Sequence, residues 1–313
     1  MLRLSTHRMT DTHSTPPDSS SWHEGELAVQ QRADVGAVSA RGIRSYIPEG
    51  LTDFLSQRRL IAFAGVDSKR QTWASLRIAD RGFLQVLDPL TLASGPADMN
   101  GDPLITNLRH NPNVGMVIID LATRRRVRIN GHAEVLPDGS LRIRARQVYG
   151  NCPQYIQLRV PEVDSSSNAT ARMISHDSQL SSAQRAWIAR ADTLFIATAH
   201  PEHGADASHR GGNPGFVKVE GIHRLIIPDY HGSNMFNTLG NISVNPRAGL
   251  LFPDFEQGRT LQLSGVAGID WDSDRTAYPG AQRLLTFDVE SAIEIDQPAL
   301  ASYALREYSP FNP

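Results

Sequence analysis

A mainly β fold with small helices, written as two tandem copies of one barrel unit, is what the sequence predicts. Three observations carry that expectation. The chain matches itself at a shift of 134 residues, its apolar stretches are short runs bounded by turn residues, and its few helical stretches are short, two of them stopping at Asn-Pro. At that shift Asn107, Asn111, Pro112, Gly115, Asp120, Arg125, Gly131 and Ala133 fall on Asn241, Asn245, Pro246, Gly249, Asp254, Arg259, Gly265 and Ala267. These are eight identities in 27 ungapped positions, where average residue usage gives about one or two. A length of 313 residues agrees with two domains.

The elements follow in order. Residues 1–21 are rich in Ser, Thr, Pro and His and lack an apolar core segment, so they are expected to form a disordered tail and not a secretory signal. Structure is expected from Trp22, with HEGELAVQQRADVG as a short amphipathic helix, and the first domain spans 22–160. Within it come the helix GLTDFLSQRR, an apolar strand from Leu60, a polar stretch, GFLQVLD, the helix LITNLRHNP, the strand VGMVIIDL and the alternating RVRING. The second domain, 183–313, repeats this as SAQRAWIARADT, a strand from Leu194, GFVKVEG, NTLGNISVNP, AGLLFPDF and TLQLSG. Proline ends each second helix because it cannot continue the α conformation and disfavours it in the residue before. Gly131 and Gly265, inside strands, are expected at barrel corners or bulges. Residues 161–182 lack apolar periodicity and are expected to be a surface linker, with a helix starting at Ser182 as its N-cap. The Asn168 glycosylation match inside it is read as chance. Near the end, RLLTFDVESAIEI is expected to be a final strand and helix, and the tail REYSPFNP could reach a neighbouring subunit.

Composition excludes several classes. With 40% hydrophobic and 20% charged residues the chain can build a sizeable core. Thirty-one basic residues against 33 acidic ones leave a net charge of −2, so no global field draws it to nucleic acid. The local run Arg124, Arg125, Arg126 with Arg128 has no interleaved aromatics and is read as an anion-facing strand or as solvated charge. No apolar run approaches the roughly 18–20 residues of a membrane span. Cys152 is the only cysteine, so neither an internal disulfide nor a cysteine zinc cage is expected. A cytoplasmic protein without membrane or nucleic-acid partners is the expectation.

Several blocks carry the candidate chemistry. VYGNCPQYIQ, from Val148 to Gln157, combines a proline turn with two tyrosines and is read first as a clasp between the domains, or else as a cover over a ligand ring. HPEHGADASH gathers His200, His203 and His209 with Glu202 and Asp206, but the spacing matches no closed metal site, and no metal is expected.

The helix ending in NP, the apolar strand ending near Asp, then Arg and a strand ending in Gly resemble the FMN-binding split barrels related to pyridoxamine 5′-phosphate oxidase. Here those residues are NPNVGMVIIDL–RRRVRINGHA and NPRAGLLFPDF–GRTLQLSGVA. The blocks WHEGELAVQ, VYGNCPQYIQ, ADASHRGGNPGFVKV and IPDYHGSNMFNTLGN resemble a two-barrel branch of that family, over roughly Trp22 to Trp271. The resemblance implies two tandem split β-barrels and a non-covalently bound FMN, with haem or a deazaflavin as alternatives. It implies an oxidoreductase moving hydride or electrons to or from a small-molecule substrate, with NADH or NADPH as possible donor. The other readings are a non-catalytic flavin, deazaflavin or haem carrier and a haem-degrading enzyme on the same fold.

The resemblance also directs attention to particular residues. A flavin phosphate needs hydroxyls, guanidinium forks and close backbone amides. In SHRGGNPGF, Ser208, His209, Arg210, Gly211 and Asn213 are the candidates, with Arg210 matching the family's flavin-contacting arginine. In IPDYHGSNMFNTLGN, the candidates are Asp229, Ser233, Asn234 and Asn237, with Ser233 and Asn234 expected to cap the helix and Asn237 and Thr238 on its first turn. Family members carry a Ser, Arg and Lys cluster there, from which this chain departs. Arg259 matches the arginine opening the next strand. The first copy has KRQTWASLRIADRG where the second has its Ser-His-Arg-Gly-Gly block, so the second barrel is expected to be the better equipped. FMN in this fold sits between two barrels, so either the tandem copies pair within one chain or two chains pair as a homodimer, the expected assembly.

Overall fold

A computed structural model describes residues 22–96, 100–161 and 171–313. The expected N-terminal tail, the Asn168 glycosylation match and most of the linker lie outside the described residues. The chain opens with helix α1 (Glu24–Arg32), begun by a capping box in which His23 accepts from the helix amides and Glu26 reaches back to the His23 amide.

The first barrel comprises α2 (Thr52–Ser56), β1 (Leu60–Val66), β2 (Thr72–Ile78), β3 (Leu84–Asp88), β4 (Thr91–Ser94), α3 (Leu104–His110), β5 (Asn113–Asp120), β6 (Arg125–Val135) and β7 (Leu141–Gly150). Its sheet runs β2-β1-β5-β6-β7-β4-β3, with antiparallel neighbours throughout. After β8 (Leu158–Pro161) and β9 (Arg172–Asp177) the second barrel repeats the series. It consists of α4 (Ser182–Arg190), β10 (Thr193–His200), β11 (Gly204–Gly211), β12 (Lys218–Glu220), β13 (Arg224–Tyr230), α5 (Asn237–Val244), β14 (Arg247–Asp254), β15 (Arg259–Asp270) and β16 (Ala281–Asp296). The order β11-β10-β14-β15-β16-β13-β12 is the first sheet's order, strand for strand. The fold is two tandem split β-barrels.

The paired glycines behave as expected. The ladder slips by one residue between Asn130 and Gly131 in β6, and between Ser264 and Gly265 in β15. A Cβ on Gly131 would lie 2.0 Å from the Arg144 carbonyl oxygen, and one on Gly265 would lie 2.1 Å from that of Asp288, so only glycine lets the facing strand close over the bulge.

Continuous apolar runs, in place of alternation, have a direct cause: both faces of the strands are buried. In β1, Ile61 and Phe63 enter the first barrel's core, whereas Leu60, Ala62 and Ala64 face the other barrel. In β10, Leu194 and Ile196 point into the second core while Phe195, Ala197 and Ala199 join the inter-barrel cluster. Gly115 and Gly249, repeat mates, sit where this interface is tightest. A Cβ on Gly115 would be 2.5 Å from the Cα of Asp206 in β11, and one on Gly249 2.7 Å from the Thr72 carbonyl oxygen in β2. Each barrel thus lays its central strand on the other's edge strand, a self-complementary contact of the kind that two-fold symmetry generates.

Several segments depart from expectation. α1 docks on α5 of the second barrel: a Cβ on Gly25 would lie 2.3 Å from the Gly240 carbonyl oxygen, and Val29 enters the second core. In the linker, Arg172–Asp177 is a strand paired with β16, because the 16-residue β16 outruns its other neighbours and leaves backbone groups to satisfy. The N-cap of α4 is Ser181, with Gln184 completing a capping box. The expected final strand and helix are one strand, since β16 continues the ladder with β15 through Asp296, and its Phe287, Val289, Ile293 and Ile295 suit a pleated surface. The tail pairs β17 (Tyr303–Glu307) with β8 and folds back over this chain, where Ser309 and Asn312 bind Gln157. Among the described residues no helix is long and apolar enough to cross a membrane.

Candidate functional site

A cleft of about 200 Å³, open to solvent at its mouth, lies between the two barrels. Five segments build it: the end of α1, strand β6, the β7–β8 connection, the β11 and β13 ends with the loop into α5, and the start of β16. Ser208, His209, Arg210, Gly211, Asp229, Ser233, Asn234 and Asn237 all line it. Asn213 and Arg259 do not. Asn213 faces the tail, donating to the Pro313 carbonyl at 2.7 Å and accepting from Asn312. Arg259 pairs with Glu294 at the far end of the β15–β16 ladder from the cleft, because it opens β15 whereas the cleft faces the β16 start.

Four guanidinium groups line the cleft, those of Arg126, Arg128, Arg210 and Arg283. Arg128, fully enclosed, binds the Asp206 carboxylate across the barrel interface; burial is the largest single influence and lowers its pKa, but Asp206, Tyr149 and Glu26 together hold it above the ordinary value. Asp206 also accepts from Asn130 Nδ2 at 3.0 Å and Tyr149 Oη at 3.1 Å. Arg210 and Arg283 share Asp229, one on each carboxylate oxygen. Two carboxylates therefore serve three of the arginines. No carboxylate pairs with Arg126 among the described residues; its Nη1 donates to His209 Nδ1 at 2.9 Å, and burial pulls its pKa down to about 10. Since His209 accepts at Nδ1 its proton sits on Nε2, and that buried N–H has no partner among the described residues. Burial first, then Arg126, Arg159 and Arg210, keep the imidazole neutral by pushing its pKa well down.

The start of α5 differs from the capping expected. Phe236 occupies the N-cap in the left-handed conformation, φ 58°, and offers no side-chain cap; Ser233 and Asn234 precede the cap on the cleft wall. Asn237 Nδ2 donates to Glu26 at 2.6 Å, leaving its Oδ1 without a partner among the described residues. Thr238 donates to Ser208 at 3.2 Å. The first-turn amides consequently end at the cleft without a side-chain acceptor of their own. Gly211 is glycine for a packing reason, since a Cβ there would meet the Tyr155 carbonyl oxygen at 2.1 Å.

The β7–β8 connection both clasps and lines. Gln157 donates to the carbonyls of Asp192 and Gly212 and accepts from the Ser309 amide, tying both barrels and the tail together. Asn151, Cys152 and Tyr155 face the cleft, and the Tyr155 ring lies 5.2 Å from that of Tyr230. Burial pushes the Tyr230 hydroxyl up to about 12.

The histidines regroup. His200 and His203 gather with His23, at ring separations of 4.4, 5.4 and 4.6 Å, whereas His209 lies further down the β10–β11 hairpin, opposite Phe195. His23, Glu24 and His200 bring ligand-type atoms within 4.8 Å of one another. Every ring nitrogen of His23 and His200 already has a protein partner: the Gly25 amide and Asn241 for His23, the Glu202 and His203 amides and Glu24 for His200. The cluster is a closed hydrogen-bond network joining α1 to the second barrel.

The profile described as pyridoxamine 5′-phosphate oxidase matches residues 180–289, from α4 into β16. The match to the pyridoxamine 5′-phosphate oxidase family lies in the second barrel and spans about a third of the chain. Three solved structures are similar to part of the chain. HupZ of Group A Streptococcus is 14% identical with a TM-score of 0.30, covering 36% of this chain and 90% of its own. A putative pyridoxamine 5′-phosphate oxidase from Lactobacillus delbrueckii is 14% identical with a TM-score of 0.31, covering 38% and 97%. A FAD-binding protein from Mesorhizobium loti is 11% identical with a TM-score of 0.28, covering 39% and 99%. No curated protein matches the chain.

Sequence reasoning missed how much of this cleft comes from the first barrel. Arg126 and Arg128 were legible as an anion-facing strand or as solvated charge but not as part of this site, and Arg283 carried no signal beyond its place in a strand. Phe236 carried none either: its left-handed backbone cannot be read from an aromatic residue.

Proposed function

We propose that the cleft binds FMN and that the chain is an FMN-dependent oxidoreductase, passing hydride or electrons between a donor such as NADH or NADPH and a small-molecule acceptor. Arg126 carries the reading. Its partly exposed guanidinium meets Cys152 and a neutral imidazole and no carboxylate among the described residues, and a desolvated charge without a counter-charge is costly. A phosphate supplies the missing charge. The surrounding donors suit the same group: the uncapped first turn of α5 and the Ser233 hydroxyl border the cleft. The tilted Tyr155–Tyr230 pair offers a flat apolar flank for a ring system.

FMN supplies the redox chemistry when bound. The chain binds, orients and encloses. Asp229 is committed to two arginines, so it is not available as a proton acceptor. Tyr230 keeps its proton at neutral pH and acts as a donor. The family match in the second barrel supports a flavin before haem or a deazaflavin.

Purified protein reconstituted with FMN and passed through gel filtration is expected to retain a two-band flavin spectrum. A Soret band, or protein that stays colourless after FMN, overturns the proposal. Arg126→Ala removes a charge-assisted contact of about 1.5–3 kcal/mol, hence roughly 10- to 150-fold in FMN affinity. Stopped-flow reduction by NADH or NADPH separates an enzyme from a carrier.

A further inference from the structure

The reciprocal packing of Gly115 on β11 and Gly249 on β2 relates the barrels by an internal two-fold, so the cleft has a counterpart across the interface. The repeat identifies its residues. At the shift of 134, Arg126 and Arg128 of β6 become Thr260 and Gln262 of β15. Leu60 pairs with Ile78 as Leu194 pairs with Arg210, so Ile78 stands for Arg210. Ala133 pairs with Ile143 as Ala267 pairs with Phe287, which places Gly139 for Arg283. All four guanidinium groups of the cleft are gone from the counterpart. His209 is replaced by Arg77, which donates to the Pro96 carbonyl.

What remains there is filled from within. Asp102 lies two residues before α3, just ahead of its N-cap Pro103, and the shift of 134 sets it on Phe236 before α5. Its buried carboxylate accepts from the Ser75 hydroxyl at 2.8 Å, the Gln262 amide at 2.5 Å and the Leu104 N–H at 2.9 Å. Gln262 is the counterpart of Arg128, and Leu104 N–H that of the Thr238 amide at the cleft. Three donors from three elements thus converge on a carboxylate supplied by the chain.

We infer that this chain binds one phosphorylated ligand and not two, because Asp102 stands as a built-in anion in the counterpart of the cleft. The identity of that ligand rests on the FMN reading; the role of Asp102 does not. Four cations lost against one gained, Arg77, which is turned to the Pro96 carbonyl, weaken anion binding there, and the carboxylate satisfies the polar groups that a departed ligand would leave buried and unpaired.

Two measurements on the full chain decide it. Equilibrium dialysis with FMN is expected to saturate at one molecule per chain; two overturn the inference, whereas none overturns the cofactor reading and leaves Asp102 to the second measurement. Asp102→Ala strips the acceptor from Ser75, Gln262 and Leu104, so its Tm is expected to fall by several degrees. Formate at high millimolar concentration is expected to raise the Tm of this variant more than that of the wild type. Equal stability of variant and wild type, or no differential effect of formate, overturns the inference. If Asp102→Ala does not fold, Asp102→Asn carries the test: one carbonyl oxygen cannot serve three donors, and a Tm equal to that of the wild type overturns the assignment.

Discussion

Replacing Arg128 by Met tests the electrostatic bolt between the barrels. The substitution keeps much of the side-chain volume and leaves the Asp206 carboxylate, 3% exposed, without its cation. Breaking a buried pair from one side costs about 3–5 kcal/mol. Asp206 still accepts from Asn130 and Tyr149, which places the loss near the lower end, about 3 kcal/mol, with a further share from the Arg128 guanidinium 4.9 Å above the Tyr149 ring. A loss of that size lowers Tm by roughly 6–10 °C and shifts the urea midpoint at constant slope. Adding Asp206→Asn removes the stranded charge, so the double variant is expected to recover at least half of the lost stability. A single variant within about 1 kcal/mol of wild type, or simple additivity in the double, refutes the reasoning.

Other outcomes follow from the same contacts. Gly115→Val drives a side chain into the Asp206 backbone and is expected to cost at least about 1–3 kcal/mol in denaturant unfolding, the range for overpacking; a neutral effect means the barrels separate easily. Arg259→Ala leaves FMN affinity unchanged and shifts stability by less than about 1 kcal/mol, since its partner Glu294 lies away from the cleft; isothermal titration detects any loss. Glu26, raised by burial from 4.5 to about 7, faces His23, Asp206, Arg128 and Asn237. Its protonated form is the one the fold favours, so its contribution is complete below about pH 4.5 and is lost as pH rises toward 7. His23 runs the other way: lowered to about 4 by burial and then by His200 and His203, it contributes fully above about pH 6.5 and loses that as pH falls toward 4. Glu26→Gln removes only the first trend, so the variant's Tm is expected to gain on the wild type from pH 5 to pH 8; a constant difference across that range refutes the assignment.

The doubling of the barrel was legible because identical constraints demand identical residues: the bulge glycines, the interface glycines and the Asn-Pro helix ends recur at one spacing. The end of β11 and the loop after β13 were legible as candidate cleft residues from their clustered Ser, Arg, Asn and Gly, although Ser208–Gly211 are strand and not the turn before one. What escaped reading depends on contacts distant in sequence. Nothing local in Glu24–Arg32 tells that the helix crosses to the second barrel. Nothing in Asn213 separates a cleft residue from one that the tail will cover. Arg126 and Arg259 look alike in sequence, each near the start of a repeat strand. Only the packing of the two barrels makes one a cleft cation and the other a half-exposed partner of Glu294.

The docking of α1 on α5 has a consequence for synthesis. The helix leaves the ribosome early, but the surface that receives Gly25 and Val29 is made roughly 200 residues later, a delay of about 10–40 s at ordinary elongation rates. Throughout that interval the first barrel can close while its leading helix stays undocked, with Val29 and the Gly25 face open to solvent or to a chaperone. Completion of the second barrel then draws the beginning of the chain across to its end. A nascent chain halted before Asn237 is thus expected to expose α1 to protease, and one released after Asp296 to protect it.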